Sequence, residues 1–324
     1  MIGRRDFVLM VGGVAVAGPG TVRAAVTIPH VAFLAVGFGA DTTAFDAIRD
    51  GLRGLGNIEG QTFVAEPYAS NDAARIPDLA ERVVAAQPAV IVTINAAAVP
   101  DLVKRTQSIP IVVAFCADPV ALGFSKSVAR PTGNVTGILT LDDALLPKKV
   151  ELLDQLAGPM KRVGLVYDIG NPNHVPMLAK AKAMAAAGGP QIVLLGVASP
   201  SDVATVLDRD EARDLSGLIV WASPVIVTGR ANLIAAAIAR RIPAIHTFVF
   251  EVEDGALASY GLEPTENFQR AAEYADRLLH GAKVADLPFE APRTFHLALN
   301  LKTAKAIGVT IPPTLLARAD EVIE

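Results

Sequence analysis

The sequence predicts an α/β protein of two doubly wound, mainly parallel-sheet lobes joined by hinge strands. Three observations carry this prediction. Apolar runs of strand length alternate with amphipathic helical stretches through about 220 residues. The alternation falls into two sets, separated by the breaker-rich segment Arg130-Pro-Thr-Gly-Asn134. The chain has 324 residues, which accommodates two lobes of about 100–150 residues each.

The first set opens with His30-Val-Ala-Phe-Leu-Ala-Val36, a continuous apolar run as in a strand covered on both faces. A loop over residues 37–43 follows. Phe45, Ile48, Leu52 and Leu55 then share one helical face, and Gly54 and Gly56 stop that helix. Residues 61–68 read as the second strand. Pro77 opens a helix with Leu79, Val83 and Ala86 inward. A third strand over 89–94, a third helix over 98–107 and a fourth strand over 110–115 complete the set. Asp118-Pro119 turns the chain into a short helical segment.

The second set starts near Asn134. Its helix over 146–156 carries Leu152, Leu153 and Leu156. Strands follow at 162–167, 191–197, 217–221 and 244–247, with helices at 174–187, 202–212 and 229–240 between them. One more strand, 256–261, leads into a helix over 266–280 with Phe268, Ala271, Ala275 and Leu278 on one face. A linker over 284–292, a strand over 294–299 and a short helix ending at Gly308 follow.

The N-terminus reads as a leader. Arg4-Arg5-Asp6-Phe7 precedes an apolar, Gly/Ala-rich run over 8–17, and Val22-Arg23-Ala24 suits a signal peptidase. Residues 1–24 are therefore expected to be a twin-arginine signal peptide directing export. The apolar run is too short to span about 30 Å of hydrocarbon as a helix. The net charge is -4 with no basic block, which argues against nucleic acid as a partner. The single cysteine, Cys116, lies in an apolar strand, so no disulfide forms within the chain.

Motifs of catalysis are missing. Gly37-Phe-Gly-Ala-Asp-Thr42 has two glycines of a dinucleotide fingerprint and lacks the third. There is no P-loop, no G-x-S-x-G and no H-E-x-x-H. His30, His174, His246, His280 and His296 are scattered, and Glu251, Glu253 and Asp254 read as a solvated turn. The expectation is a binding protein without cofactor or metal, and not an enzyme.

In open α/β sheets, ligands sit beyond the carboxyl ends of the strands. Helices starting there offer free N–H groups to anionic ligand groups. The candidates follow from this placement. Thr42 and Thr43 either cap their helix or bond a ligand. Asn95, Ala96 and Ala97 form a loop of small side chains over which a ligand can approach the backbone. Asp118 either forms a turn or accepts a ligand ammonium group. Asn171 lies in the polar loop after the 162–167 strand. Trp221, the only tryptophan, is either core or an aromatic wall beside Ser223. Tyr167, Phe38 and Phe248 are further aromatic candidates.

Three stretches resemble one family. Arg4-Arg-Asp-Phe7 is similar to its usual leader. Asp118-Pro-Val-Ala-Leu-Gly123 and Ala129-Arg-Pro-Thr-Gly-Asn-Val-Thr-Gly137 resemble its central signature, with Thr132 where glycine is usual. Gly255-Ala-Leu-Ala-Ser-Tyr-Gly261 and the segment from Asn300-Leu-Lys-Thr-Ala-Lys-Ala-Ile-Gly308 to Val322 resemble its C-terminal half. The family is that of ABC-transporter substrate-binding proteins, including tryptophan/tyrosine-type solute receptors. The resemblance implies a type I periplasmic binding fold that closes two lobes on a small ligand. The expected ligand is an aromatic or branched amino acid or a related carboxylate. The partner would be an ABC permease in the inner membrane, and the receptor a periplasmic monomer. The expected lobes are 26–134 with 259–284, and 135–258 with 285–324. The hinges fall near 134–139, 256–261 and 288–293. An exported receptor feeding a sensor kinase is the alternative; an enzyme on this scaffold lacks a nucleophile–base set.

Overall fold

The structure of the protein, a computed structural model, describes residues 28–36 and 43–324. The first lobe is built on a five-stranded, all-parallel sheet. In chain order it comprises β1 (His30–Val36), α1 (Thr43–Gly54), β2 (Val64–Ser70), α2 (Ile76–Ala85), β3 (Val90–Asn95), α3 (Val99–Arg105), β4 (Ile111–Cys116) and β5 (Val135–Leu139). The strands lie in the order β2-β1-β3-β4-β5. Strands β1 and β4 are buried along nearly their whole length, as expected of a sheet covered on both faces.

The second lobe starts with α4 (Asp142–Ala157), β6 (Arg162–Asp168), α5 (His174–Ala186), β7 (Gln191–Val197), α6 (Pro200–Thr205) and β8 (Gly217–Val220). It continues through α7 (Pro224–Ala239), β9 (Ala244–His246), α8 (Val249–Glu253) and β10 (Ala258–Gly261). The chain then returns to the first lobe as α9 (Pro264–Leu279), which packs on α1 and β4. Strand β11 (His296–Asn300), α10 (Leu301–Ile307), α11 (Pro313–Leu316) and β12 (Glu321–Ile323) complete the second lobe. Its seven strands run β12-β11-β10-β9-β8-β6-β7, with β10 and β11 antiparallel.

The expected lobe boundaries move at three places, at 135–139, at 259–261 and at Glu290, which falls in the first lobe although 285 onward was expected in the second. Val135–Leu139 pairs with β4 and so belongs to the first sheet, although residue 135 was expected to open the second lobe. Ala258–Gly261 pairs with β9 and β11 in the second sheet, although 259 onward was assigned to the first. The chain crosses between lobes just after β5, between β10 and α9, and between Glu290 and β11. Glu290 still belongs to the first lobe, because its N–H donates to Gly137 O at 3.1 Å and its carbonyl accepts from Leu139 N at 2.7 Å. The crossings therefore lie just past the strand ends, where no ladder holds the backbone.

Local readings changed as well. Leu55 is exposed, because α1 ends at Gly54 before Leu55 can join its apolar face. The segment after Asp118 is a series of turns, not a helix. Glu251 is fully buried rather than solvated. Burial alone would raise its pKa, but His246 and the N–H groups of Phe248 and Thr247 hold it below the usual carboxylate range. His246 Nδ1 lies 2.9 Å from Glu251 Oε1. Among the described residues, no helix is long and apolar enough to cross a membrane.

Candidate functional site

The carboxyl ends of both sheets face each other across a cleft of about 950 Å³. Phe115 at the end of β4 and Phe268 on α9 line it from the first lobe, and Phe250 on α8 lines it from the second. Phe115 and Phe268 meet edge to face at 5.4 Å. Phe248 touches Phe115 at 6.4 Å and stacks on Phe250 at 5.3 Å. A continuous aromatic row thus crosses from lobe to lobe. Such pairs contribute about 0.5–1.5 kcal/mol each beyond the area they bury. Asn173 also ties the lobes: its Oδ1 accepts from Ala117 N at 3.0 Å, and its Nδ2 donates to Phe115 O at 3.3 Å.

Three helices begin at the rim with a capping residue followed by proline. Ser199 accepts from Asp202 N at 3.1 Å before Pro200, and Ser223 accepts from Ile226 N at 3.2 Å before Pro224. Glu263 accepts from Thr265 N at 3.3 Å before Pro264. Proline suits the first helical position because it lacks an N–H that would be unpaired there, and the caps take up a further donor each. The rim helices are therefore fixed at their tips, and fewer backbone donors remain for an anionic ligand.

The charged side chains described along the cleft are Asp72, Asp168, Glu263 and Arg230. Arg230 Nε donates to Asp254 Oδ2 at 2.6 Å, and its guanidinium lies 5.3 Å from the centre of the Phe250 ring. Behind Asp168 stands His174, which is buried. Its Nδ1 accepts from Asp168 N at 3.0 Å, and its Nε2 lies 3.2 Å from Ala222 O. These partners select the neutral ring with the proton on Nε2. Burial pushes the His174 pKa down, against smaller opposing effects of Asp168 and the Ala222 carbonyl.

Of the residues selected from sequence, Ala97 and Asn171 line the cleft. Phe38 and Thr42 lie outside the described residues, and Thr43 and Asn95 are described by their backbones at the starts and ends of α1 and β3. Ala96 is core. Asp118 is a turn residue here: its Oδ1 accepts from Val120 N at 2.9 Å and Ala121 N at 3.0 Å. Ser223 is a buried helix cap, and Tyr167 packs on the second-lobe core. Phe248 is buried in the aromatic row behind the cleft surface. Trp221 is fully buried in the second-lobe core, 5.6 Å from the His174 ring. It therefore forms no cleft wall in this structure. The reason is the strand face: Trp221 continues the inward side of β8 set by Ile219.

Sequence reasoning missed Phe115, Phe268 and the cap–proline rim, and it placed Asp168 and Phe250 within the binding loops 168–173 and 246–250 without singling either out. The rim had a readable signal, a recurring Ser-Pro or Glu-Pro pair soon after a strand. The phenylalanines did not, since apolar residues inside strand and helix patterns read as core.

A two-sided cleft at the carboxyl ends of two parallel sheets defines the class of two-lobed α/β ligand-binding proteins. Residues 34–323 match the family model described as ABC transporter substrate binding protein. The chain belongs to this family. A relative named tyrosine-binding protein, from Clostridioides difficile (strain R20291), is 26% identical over 241 residues, covering 74% of this chain and 69% of the relative. A conserved domain protein from Vibrio cholerae is 27% identical with a TM-score of 0.83, covering 91% of this chain and 100% of that one. An ABC domain from Streptococcus pneumonia in complex with L-Trp is 24% identical with a TM-score of 0.83, covering 92% of this chain and 100% of that one.

Proposed function

We propose that this protein is the exported receptor of an ABC importer and closes its two lobes on an aromatic amino acid. The observation that carries the reading is the cleft lined by Phe115 and Phe268 from one lobe and Phe250 from the other. A flat aromatic side chain suits these edges and faces, and such rings contribute much of the energy of binding sites. Ala97 leaves room beside the rings, and Asn171 adds a polar contact at the rim. The names of the relatives point the same way: one binds tyrosine by its name, and another was solved with L-Trp. Contacts from both lobes favour the closed state by the ligand's differential affinity for it. A periplasmic location and a permease partner follow from the family and from the leader read in residues 1–24.

Native mass spectrometry of the mature protein purified from its host tests the ligand class. The expected result is a retained species that releases tyrosine, tryptophan or phenylalanine on denaturation. Release of a sugar or a dicarboxylate would overturn the aromatic amino-acid reading while leaving the family untouched.

A further inference from the structure

Asp168 is a buried carboxyl group, only 7% exposed, that lines the cleft and has no ion-pair partner among the described residues. The other buried acids have cationic or ionisable partners: Asp142 lies 3.9 Å from Lys149, and Glu251 lies 2.9 Å from His246. The Asp168 carboxylate accepts the Gly170 N–H at 2.8 Å through Oδ1. A carboxylate has about four acceptor sites, so one backbone donor leaves most of its capacity unused. The nearest ring, His174, is held neutral by the Asp168 N–H on one side and the Ala222 carbonyl on the other. A buried carboxylate without a counter-ion is costly unless something pairs with it.

The rest of the cleft adds no spare cation among the described residues. Arg230 is bound to Asp254, while Asp72 and Glu263 contribute further negative charge as caps of their own helical turns. Asp72 is exposed and Glu263 half-buried, so water screens both. Asp168 sits deeper, at the end of β6 between β8 and β7, where a ligand group can reach it with little water in between.

We propose that Asp168 is the receptor for the ligand's cationic nitrogen, so that an ammonium group is the polar feature this cleft requires. The inference rests on the reading of the cleft as the solute site and specifies the chemistry of that solute. A carboxylate on the ligand adds less, because the field of the described cleft residues is negative. Aromatic amines that lack a carboxylate are then ligands, and aromatic acids that lack an amine are not.

The test is isothermal titration of the mature protein with three pairs of compounds. These are L-tyrosine and L-tryptophan, tyramine and tryptamine, and the amine-free 3-(4-hydroxyphenyl)propionate and indole-3-propionate. The amino acids and amines should bind, and the amine-free acids should bind about 100-fold more weakly or not at all. Asp168→Asn keeps the acceptor for Gly170 and nearly the same shape. It should weaken the amine-bearing ligands by about 100-fold and reduce the gap to the amine-free acids below about tenfold. Thermal unfolding shows whether the variant folds; if it does not, the wild-type series decides alone. Amine-free acids that bind wild type as tightly as the amino acids overturn the proposal. So does an Asp168→Asn protein that folds and keeps the wild-type preference, and that outcome leaves the amino-acid receptor standing. Wild type that binds none of the six compounds removes the aromatic amino-acid reading itself, and the role of Asp168 with it.

Discussion

His174 links the back of the cleft to the second-lobe core, with the Asp168 backbone on one nitrogen, the Ala222 carbonyl near the other and Trp221 against its ring. Its pKa is pushed below the ordinary 6.5 by burial. The folded protein therefore holds a neutral ring where the unfolded chain takes up a proton. Stability should fall as pH drops through 6.5 and level off below the folded pKa, by up to about 1.4 kcal/mol per pH unit within that window. Glu251, whose folded pKa is depressed, adds its own loss only below 4.5. Urea unfolding of wild type and His174→Gln at about pH 7.5 and 5.5 checks this. The variant should be less stable at the higher pH and lose less on acidification; equal losses would assign the effect to other groups. Residues of this kind were hard to read from sequence. His174 was one of five scattered histidines, and Trp221 and Asp118 each had two open readings. Their roles depend on which strand face and which turn they occupy, and on what another segment places beside them.

At the scale of elements, β5 shows what periodicity leaves open. Its apolar character was visible, but its partner was not. It joins β4 in a sheet with a register shift between Val113 and Cys116, and Gly137 permits the approach. A Cβ on Gly137 would stand 2.1 Å from Val113 O and 2.8 Å from Val113 N. Backbone in the middle of a sheet cannot yield as a flexible side chain would. Gly137→Ala should therefore cost on the order of 3 kcal/mol, read as a lower unfolding temperature with no change in ligand preference. An unaffected stability would show that β5 can shift outward. Most long elements were legible: β1, β3, β4, β6, β7 and the long helices appear within a few residues of their expected spans. The short elements α8, α11 and β12 were not, because their lengths of 5, 4 and 3 residues hold too little pattern, and their structure comes from packing on longer neighbours.

The whole molecule depends on three crossings between lobes and on a cleft shared by both. The proposed export is directly testable on the full chain. Replacing Arg4 and Arg5 together by Lys should leave precursor in the cytoplasm, detected by immunoblot of cell fractions. Normal levels of mature protein outside the cytoplasm would remove the twin-arginine reading and leave a general secretory signal.

Alternating apolar strand-length runs and amphipathic helical stretches were enough to set the class of fold and its two sheets, because burial on both faces of a parallel sheet writes itself along the chain. The family was legible only as a resemblance of particular stretches, such as residues 118–123 and 255–261. The pattern of residues could not say which lobe β5 and β10 join, since pairing is a choice among distant segments of similar apolar character. Nor could it say that Trp221 faces the core while Phe115, Phe250 and Phe268 reach the cleft. All four are aromatic residues in apolar surroundings, and they differ only in which way the backbone turns them when two sheets meet. The place of Asp168 appears for the same reason: it becomes a buried carboxylate at the cleft, without an ion pair among the described residues, only once β6 has been packed between β7 and β8.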